Sequence, residues 1–272
     1  MQASAWSAPT GTLGMLVESA RRRALVLADH EDSLTRTARD GAAPPGFRAA
    51  LDRDSVAVIA EIKRRSPSKG AINSTLDAVA QASAYERGGA AAISVLSEPD
   101  HFGGSSLDVE DVRREVTVPV LKKDFHVHPI QLLEAKALGA SAALLIARAL
   151  APGELVELAR EARMLDLEVL VEVRDEWELE RALAIDAMVI GVNNRDLETL
   201  RIDPRTAERL LPAIPRGVIA VAESGMRTAG DILDAASWGA DAVLIGSFLS
   251  ASEDPQAAVR ALCEIPRRRR DG

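Results

Sequence analysis

From residue 56 onward, short apolar runs recur along the chain, and the longer segments between them carry apolar positions every three or four residues. The short runs are VAVIAEI (56–62), AAAISVL (90–96), VPVLKKD (118–124), SAALLIA (141–147), LEVLVEV (167–173), DAMVIGV (186–192), VIAVAE (218–223) and DAVLIGS (241–247). Their length and richness in Val, Ile, Leu and Ala predict eight strands buried on both faces. The intervening segments are TLDAVAQASAYERGG, SLDVEDVRREV, PIQLLEAKALGA, GELVELAREARML, EWELERALAI, PRTAERLLPAI and AGDILDAASWGA, with DPQAAVRALCEI after the last strand. Several begin with a capping residue or an acidic first turn, which predicts helices. Strands alternating with amphipathic helices imply parallel pairing. Eight such units close into a single α/β domain, a (β/α)8 TIM barrel. The competing open, doubly wound sheet normally carries G-x-G-x-x-G after its first strand, and KRRSPSKG lacks it.

The predicted organisation is an N-terminal helical extension over residues 1–52, the barrel over 53–265, and a basic tail over 266–272. The extension holds at least the helix TLGMLVESARRRALVLADH and then the loop GAAPPGF. A length of 272 residues suits one such barrel. With 47% hydrophobic and 27% charged residues the chain has the composition of a globular protein, which sets aside disordered and fibrous readings. The formal charge of −8 argues against nucleic acid and anionic membranes as partners, so an anionic ligand needs a local group of cations. Two basic runs, ESARRRAL (18–25) and PRRRRDG (266–272), read as a solvated helix face and a frayed chain end. Cys263 is the only cysteine, which excludes an internal disulfide and fits a reducing cytoplasm. No signal peptide or long apolar span is visible.

In this fold, chemistry belongs at the C-terminal strand ends. Polar residues collect there. Alternation puts Ala57, Ile59, Glu61 and Lys63 on one face of the first strand. Lys122, Lys123 and Asp124 end the third strand, and Glu172 sits late in the fifth. Asn193 and Arg195 follow the sixth, Glu223 and Ser224 end the seventh, and Gly246 and Ser247 end the eighth. Ionised groups without partners are costly in a barrel interior, so a whole ring of them points to groups that serve one another and a ligand. AESGMR (222–227) and IGSFL (245–249) place small residues where phosphate binds in barrels of this type. His126 and His128 lack a third metal ligand nearby and read as a polar loop. Ser66 and Ser68 lack a His-Asp arrangement that would activate them.

The segments AEIKRRSPSKG, SVLSEPDHFGGS, PVLKKDF, LVEV, IGVNNRDLETL, AESG and LIGS together resemble the indole-3-glycerol phosphate synthase family of tryptophan biosynthesis, from the first helix to about residue 262. The resemblance implies conversion of 1-(2-carboxyphenylamino)-1-deoxyribulose 5-phosphate to indole-3-glycerol phosphate, carbon dioxide and water, without metal or organic cofactor. It implies Lys123 as general acid, where alternation leaves Lys122 and Lys123 equally open. Glu172 resembles the general base and Lys63 the second catalytic lysine. Glu61, Asn193 and Glu223 match further catalytic positions; Ser66, Arg195 and Ser224 match substrate-binding positions; Gly225, Gly246 and Ser247 match the phosphate-binding backbone. Phe102 and Phe125 lie in site-end loops and are candidates to sandwich an aromatic ring.

Two departures from the family pattern are Ile130, where Tyr is usual, and Arg174, where His is usual. They bear on substrate positioning rather than on the reaction. The implied partners are a phosphorylated small molecule and other tryptophan-pathway enzymes. A related barrel, phosphoribosylanthranilate isomerase, would need a cysteine in its acid-base pair, and Cys263 falls in the last helical segment. A non-catalytic phosphometabolite-binding barrel would not need Lys123 and Glu172.

Overall fold

The computed structural model describes residues 6–270. Eight parallel strands form a closed barrel: β1 (Ala57–Ile62), β2 (Ala92–Leu96), β3 (Val120–Lys123), β4 (Ala142–Ile146), β5 (Glu168–Val173), β6 (Val189–Asn193), β7 (Ile219–Glu223) and β8 (Ala242–Ile245). Each pairs with its sequence neighbour, and β1 closes on β8 with Ala57 opposite Ala242 and Ala60 opposite Ile245. Every predicted run holds a strand, trimmed by up to three residues at its ends, and β6 runs one residue beyond its run to Asn193. The chain between strands must cross back over the sheet, so parallel pairing demands a covering layer. Its described helices are α4 (Ala78–Gly88), α5 (Pro99–Phe102), α6 (Ser106–Glu115), α7 (Pro129–Ala137), α8 (Pro152–Met164), α9 (Glu176–Ala184), α10 (Arg205–Leu210), α11 (Ala229–Ser237) and α12 (Pro255–Arg260), after three in the extension.

Local chemistry fixes where these helices start. Asp77 accepts hydrogen bonds from the Val79 and Ala80 amides at the head of α4, and Asp175 and Thr228 do the same for α9 and α11. The core runs through the barrel lumen and the layer between strands and helices, with Ile59, Ile93, Leu121, Leu145 and Ile190 fully buried. No described helix is long and apolar enough to cross a membrane.

The extension contains three helices, α1 (Gly11–Ala28), α2 (Glu31–Asp40) and α3 (Phe47–Leu51). Leu13, Leu16, Val17 and Ala20 bury one face of α1. The basic run on this helix is not a wholly solvated face. Arg23 reaches Asp124, just past β3, with Nη1 and Nη2 donating to its two carboxylate oxygens at 2.9 and 2.8 Å. Ala20 and Ala24, from the same run, are buried. The C-terminal run also departs from expectation. Its described part is docked across the N-terminal mouth of the barrel, where Arg267 and Arg270 each pair with buried Asp241 at 2.8 Å. Asp241 needs counter-charge because its carboxylate is shielded from water.

His126 and His128 serve different structural ends. His126 is buried behind β3, its Nδ1 2.8 Å from the Leu144 carbonyl, whereas His128 caps α7 by accepting from the Ile130 amide. Burial, with Lys122 close by, pushes the His126 imidazole down to about 4 and keeps it neutral.

Candidate active site

A cleft at the C-terminal strand ends is lined by each catalytic, substrate-binding and phosphate-binding candidate that the resemblance implies, and by the two candidate rings: Glu61, Lys63 and Ser66 after or within β1; Phe102; Lys123 and Phe125; Glu172; Asn193 and Arg195; Glu223, Ser224 and Gly225; Gly246 and Ser247. Parallel register explains the convergence. Lys123 lies opposite Leu96, Glu172 opposite Ile146 and Gly191, and Glu223 opposite Asn193 and Leu244. Side chains on one face of each strand therefore meet over the lumen.

The geometry also separates the two lysines of β3. Lys122 has no exposed side-chain surface and points away from the cleft, where it pairs with Glu134 of α7 at 3.0 Å and Asp124 at 3.4 Å. Lys123 faces the cleft. Its Nζ lies 3.5 Å from Glu61 Oε2 and 3.6 Å from Glu223 Oε2. Lys63 Nζ donates to Glu61 Oε1 at 2.5 Å, so one carboxylate bridges two ammonium groups.

These contacts set the charges. Burial disfavours ionised Glu61, but Lys63 and Lys123 more than offset it and hold the carboxyl below its ordinary range. Burial likewise opposes a charged Lys123, and Glu61, Glu223 and Glu172 outweigh it, holding the ammonium above its usual value. The other two acids move the opposite way. Glu172 is raised, chiefly by burial, and Glu223 is pushed up to about 8 by burial and then by Glu172. Two buried carboxyl groups sharing a site do not both ionise readily, so the pair retains a proton near neutral pH.

The remaining walls are shaped by small residues and rings. Ser224 and Gly225 both have positive φ, 64° and 97°, turning the chain sharply at the end of β7. Phe102 and Phe125 touch each other, ring centroids 6.2 Å apart and planes inclined by 37°. That is direct aromatic contact, so the two rings form one wall and leave no slot between them for a third.

A model of the indole-3-glycerol phosphate synthase family matches residues 17–262. The chain belongs to the indole-3-glycerol phosphate synthase family. It is 47% identical over 249 residues to the indole-3-glycerol phosphate synthase of Streptomyces griseus subsp. griseus, covering 92% of this chain and 91% of that protein. Indole-3-glycerol phosphate synthase 1 of Streptomyces coelicolor is also 47% identical, over 252 residues, with the same coverage. The synthase of a Parafrankia strain is 49% identical over 219 residues, 80% of this chain and 82% of that one. Among solved structures, thiamine phosphate pyrophosphorylase from Pyrococcus furiosus superposes with a TM-score of 0.58 at 15% identity, over 80% of this chain and 96% of that one. That likeness is one of fold alone.

Within this synthase-family barrel, two supports of the cleft, Gly191 and Ser250, escape sequence reasoning, and Gly246, expected at the phosphate, has a further role. Gly191, in β6, gives space to Glu223: a Cβ there would lie 2.0 Å from Glu223 Oε1. Gly246 does the same for β1, since its Cβ would meet Glu61 Oε1 at 2.1 Å and Lys63 Nζ at 2.8 Å. Buried Ser250 accepts from the Lys63 amide at 3.1 Å and donates to the Glu61 carbonyl at 3.0 Å, bracing the end of β1. A glycine inside a strand is a visible sign of close approach, whereas Ser250 leaves no such mark. Leu16 also reaches the cleft, bringing the extension into the site wall.

Proposed function

We propose that this chain catalyses the indole-3-glycerol phosphate synthase reaction, acting on 1-(2-carboxyphenylamino)-1-deoxyribulose 5-phosphate. The observation that carries the reading is the meeting of Lys63, Lys123 and Glu172 in one cleft, lined also by Ser224, Gly225, Gly246 and Ser247. The substrate brings a carboxylate and a phosphate to a protein of net charge −8, and Lys63, Lys123 and Arg195 supply the local positive charge it needs.

In the first step the aromatic carbon bearing the carboxylate attacks the ketone carbon. The ketone oxygen takes a proton from the Lys123 ammonium, which ionised Glu61 holds charged and which Glu61 and Glu223 together aim into the cleft. Carbon dioxide then leaves, its bonding electrons returning to the ring. In the last step Glu172 accepts a proton and the new hydroxyl departs as water with a proton from Lys63, forming the indole double bond. Glu61 keeps Lys63 protonated for that transfer. Phe102 and Phe125 offer an aromatic wall for the anthranilate ring. Ser66 and Arg195 contact the substrate, and Ser224, Gly225, Gly246 and Ser247 receive its phosphate.

The test is incubation of the purified protein with this substrate in the presence of a chelator, following indole absorbance. Turnover is expected. Lys123→Ala should lower kcat by at least about 10³-fold, and Glu172→Gln should also cut it severely. Unchanged turnover in Lys123→Ala, or none in the wild type, would overturn the reading.

A further inference from the structure

Two cations at the rim of the cleft, Lys69 and Arg227, are not absorbed by the mechanism above. Both side chains are exposed and line the cleft mouth. Their backbones are anchored. Lys69 sits in the turn of a small hairpin in which Arg65 pairs with Ala71 and Ser66 with Gly70, and its amide donates to Ser66 Oγ at 3.2 Å. The Arg227 amide donates to Asp231 Oδ2 at 2.8 Å, at the head of α11. Neither charged head makes a described hydrogen bond or ion pair, whereas Lys63, Lys123 and Arg195 are each engaged within the cleft.

Partial burial and then the neighbouring charges of Arg227, Lys63 and Arg195 lower the Lys69 ammonium below its ordinary range. Its charged neighbours are thus all cations. Asp231 lies near Arg227, but neither head makes a described ion pair, and two such cations side by side on a protein of net charge −8 are a place where an anion gains energy on arrival. The loops that carry the pair follow β1 and β7, and the β7 loop begins with Ser224 and Gly225, where the function proposed above seats the phosphate.

We propose that Lys69 and Arg227 form an outer anion gate that draws in the phosphate end of the substrate and sets the rate of capture, while the inner ring sets the rate of chemistry. This rests on the function proposed above. The phosphate meets the two rim charges first, and the rest of the molecule then settles against the inner lysines. Because both side chains are exposed and neither head makes a described hydrogen bond or ion pair, neutral replacements should fold normally. The gate also predicts weak binding of inorganic phosphate by the free protein.

The experiment compares the wild type with Lys69→Gln/Arg227→Gln and with the charge-keeping Lys69→Arg/Arg227→Lys. Steady-state kinetics are run from about 0.01 M to about 1 M salt, over which the Debye length falls from about 30 Å to about 3 Å. The neutral pair should keep kcat within about twofold and lose roughly tenfold in kcat/KM at low salt, in the range of electrostatic steering. That gap should close at high salt. The charge-keeping pair should track the wild type. Calorimetric titration with inorganic phosphate, which needs no turnover, should show weaker binding to the neutral pair. A neutral pair with wild-type kcat/KM and salt slope, or a loss confined to kcat, overturns the gate while leaving the catalytic reading intact. If the wild type fails to turn over, the catalytic reading falls, and the phosphate titration alone decides whether the gate binds anions.

Discussion

At the level of single residues, the proposed chemistry depends on the protonation of acids that share a cramped space. Glu223 stands about 8, raised by burial and by Glu172, so around neutral pH the pair keeps one proton and Lys123 faces a limited negative charge. As pH rises through that value the proton is lost, and a further negative charge enters a site that must admit an anion. The kcat/KM profile should therefore decline above about pH 8. Glu223→Gln cannot ionise, so it should retain most activity near neutrality and lose this alkaline limb; an unchanged limb would assign it to another group. Gly191→Ala tests the same space by sterics. Its Cβ would intrude to 2.0 Å of Glu223 Oε1, and overpacking of this kind costs about 1–3 kcal/mol, so the melting midpoint and kcat should fall together. Alternation along β3 exposed both Lys122 and Lys123 as candidates. Only the register with β2 and β4 turns one inward, and register is set by partners distant in sequence.

At the level of elements, strand positions were legible because fully buried parallel strands must be apolar throughout, and helix starts because capping is local. The fastening of α1 was not. Arg23 and Asp124 lie 101 residues apart, and nothing in the ESARRRAL run distinguishes the arginine that pairs with a buried acid from Arg21, which meets exposed Glu154, or from Arg22. The pair joins the extension to the residue between Lys123 and Phe125, so it serves both stability and site geometry. Asp124 is buried, held far below the usual carboxylate range against the cost of burial by Lys122 and Arg23, and Ser97 also donates to it at 3.0 Å. Arg23→Met should cost about 3 kcal/mol, at the lower end for a broken buried pair because Lys122 and Ser97 remain. Urea denaturation measures this loss. Kinetics at a temperature where the variant is folded should show a several-fold drop in kcat as Lys123 and Phe125 loosen. A variant of wild-type stability would make the pair incidental.

At the level of the whole molecule, the barrel has one end for chemistry and another for closure. The tail beyond β8 crosses the N-terminal end of β1: the Val56 amide donates to the Ile265 carbonyl at 2.8 Å, and the Arg267 amide to the Asp54 carbonyl at 3.0 Å. Arg270 Nη2 then donates to the Val218 carbonyl at 2.6 Å, just before β7, so the tail ties three adjoining strands together around Asp241. A run of arginines at a chain end looked like a solvated tail because its counter-charge, Asp241, is hidden at the head of a strand. Removing residues 266–272 would leave that carboxylate buried without its arginines, a loss of about 3–5 kcal/mol. The same truncation carrying Asp241→Asn should recover part of it, because an amide does not carry the desolvation cost of a charge. Both proteins should keep wild-type KM and kcat below their melting transitions, since the tail sits at the mouth opposite the cleft. A truncated chain that melts with the full-length protein, or that melts early whether residue 241 is acid or amide, would show that closure does not run through this carboxylate.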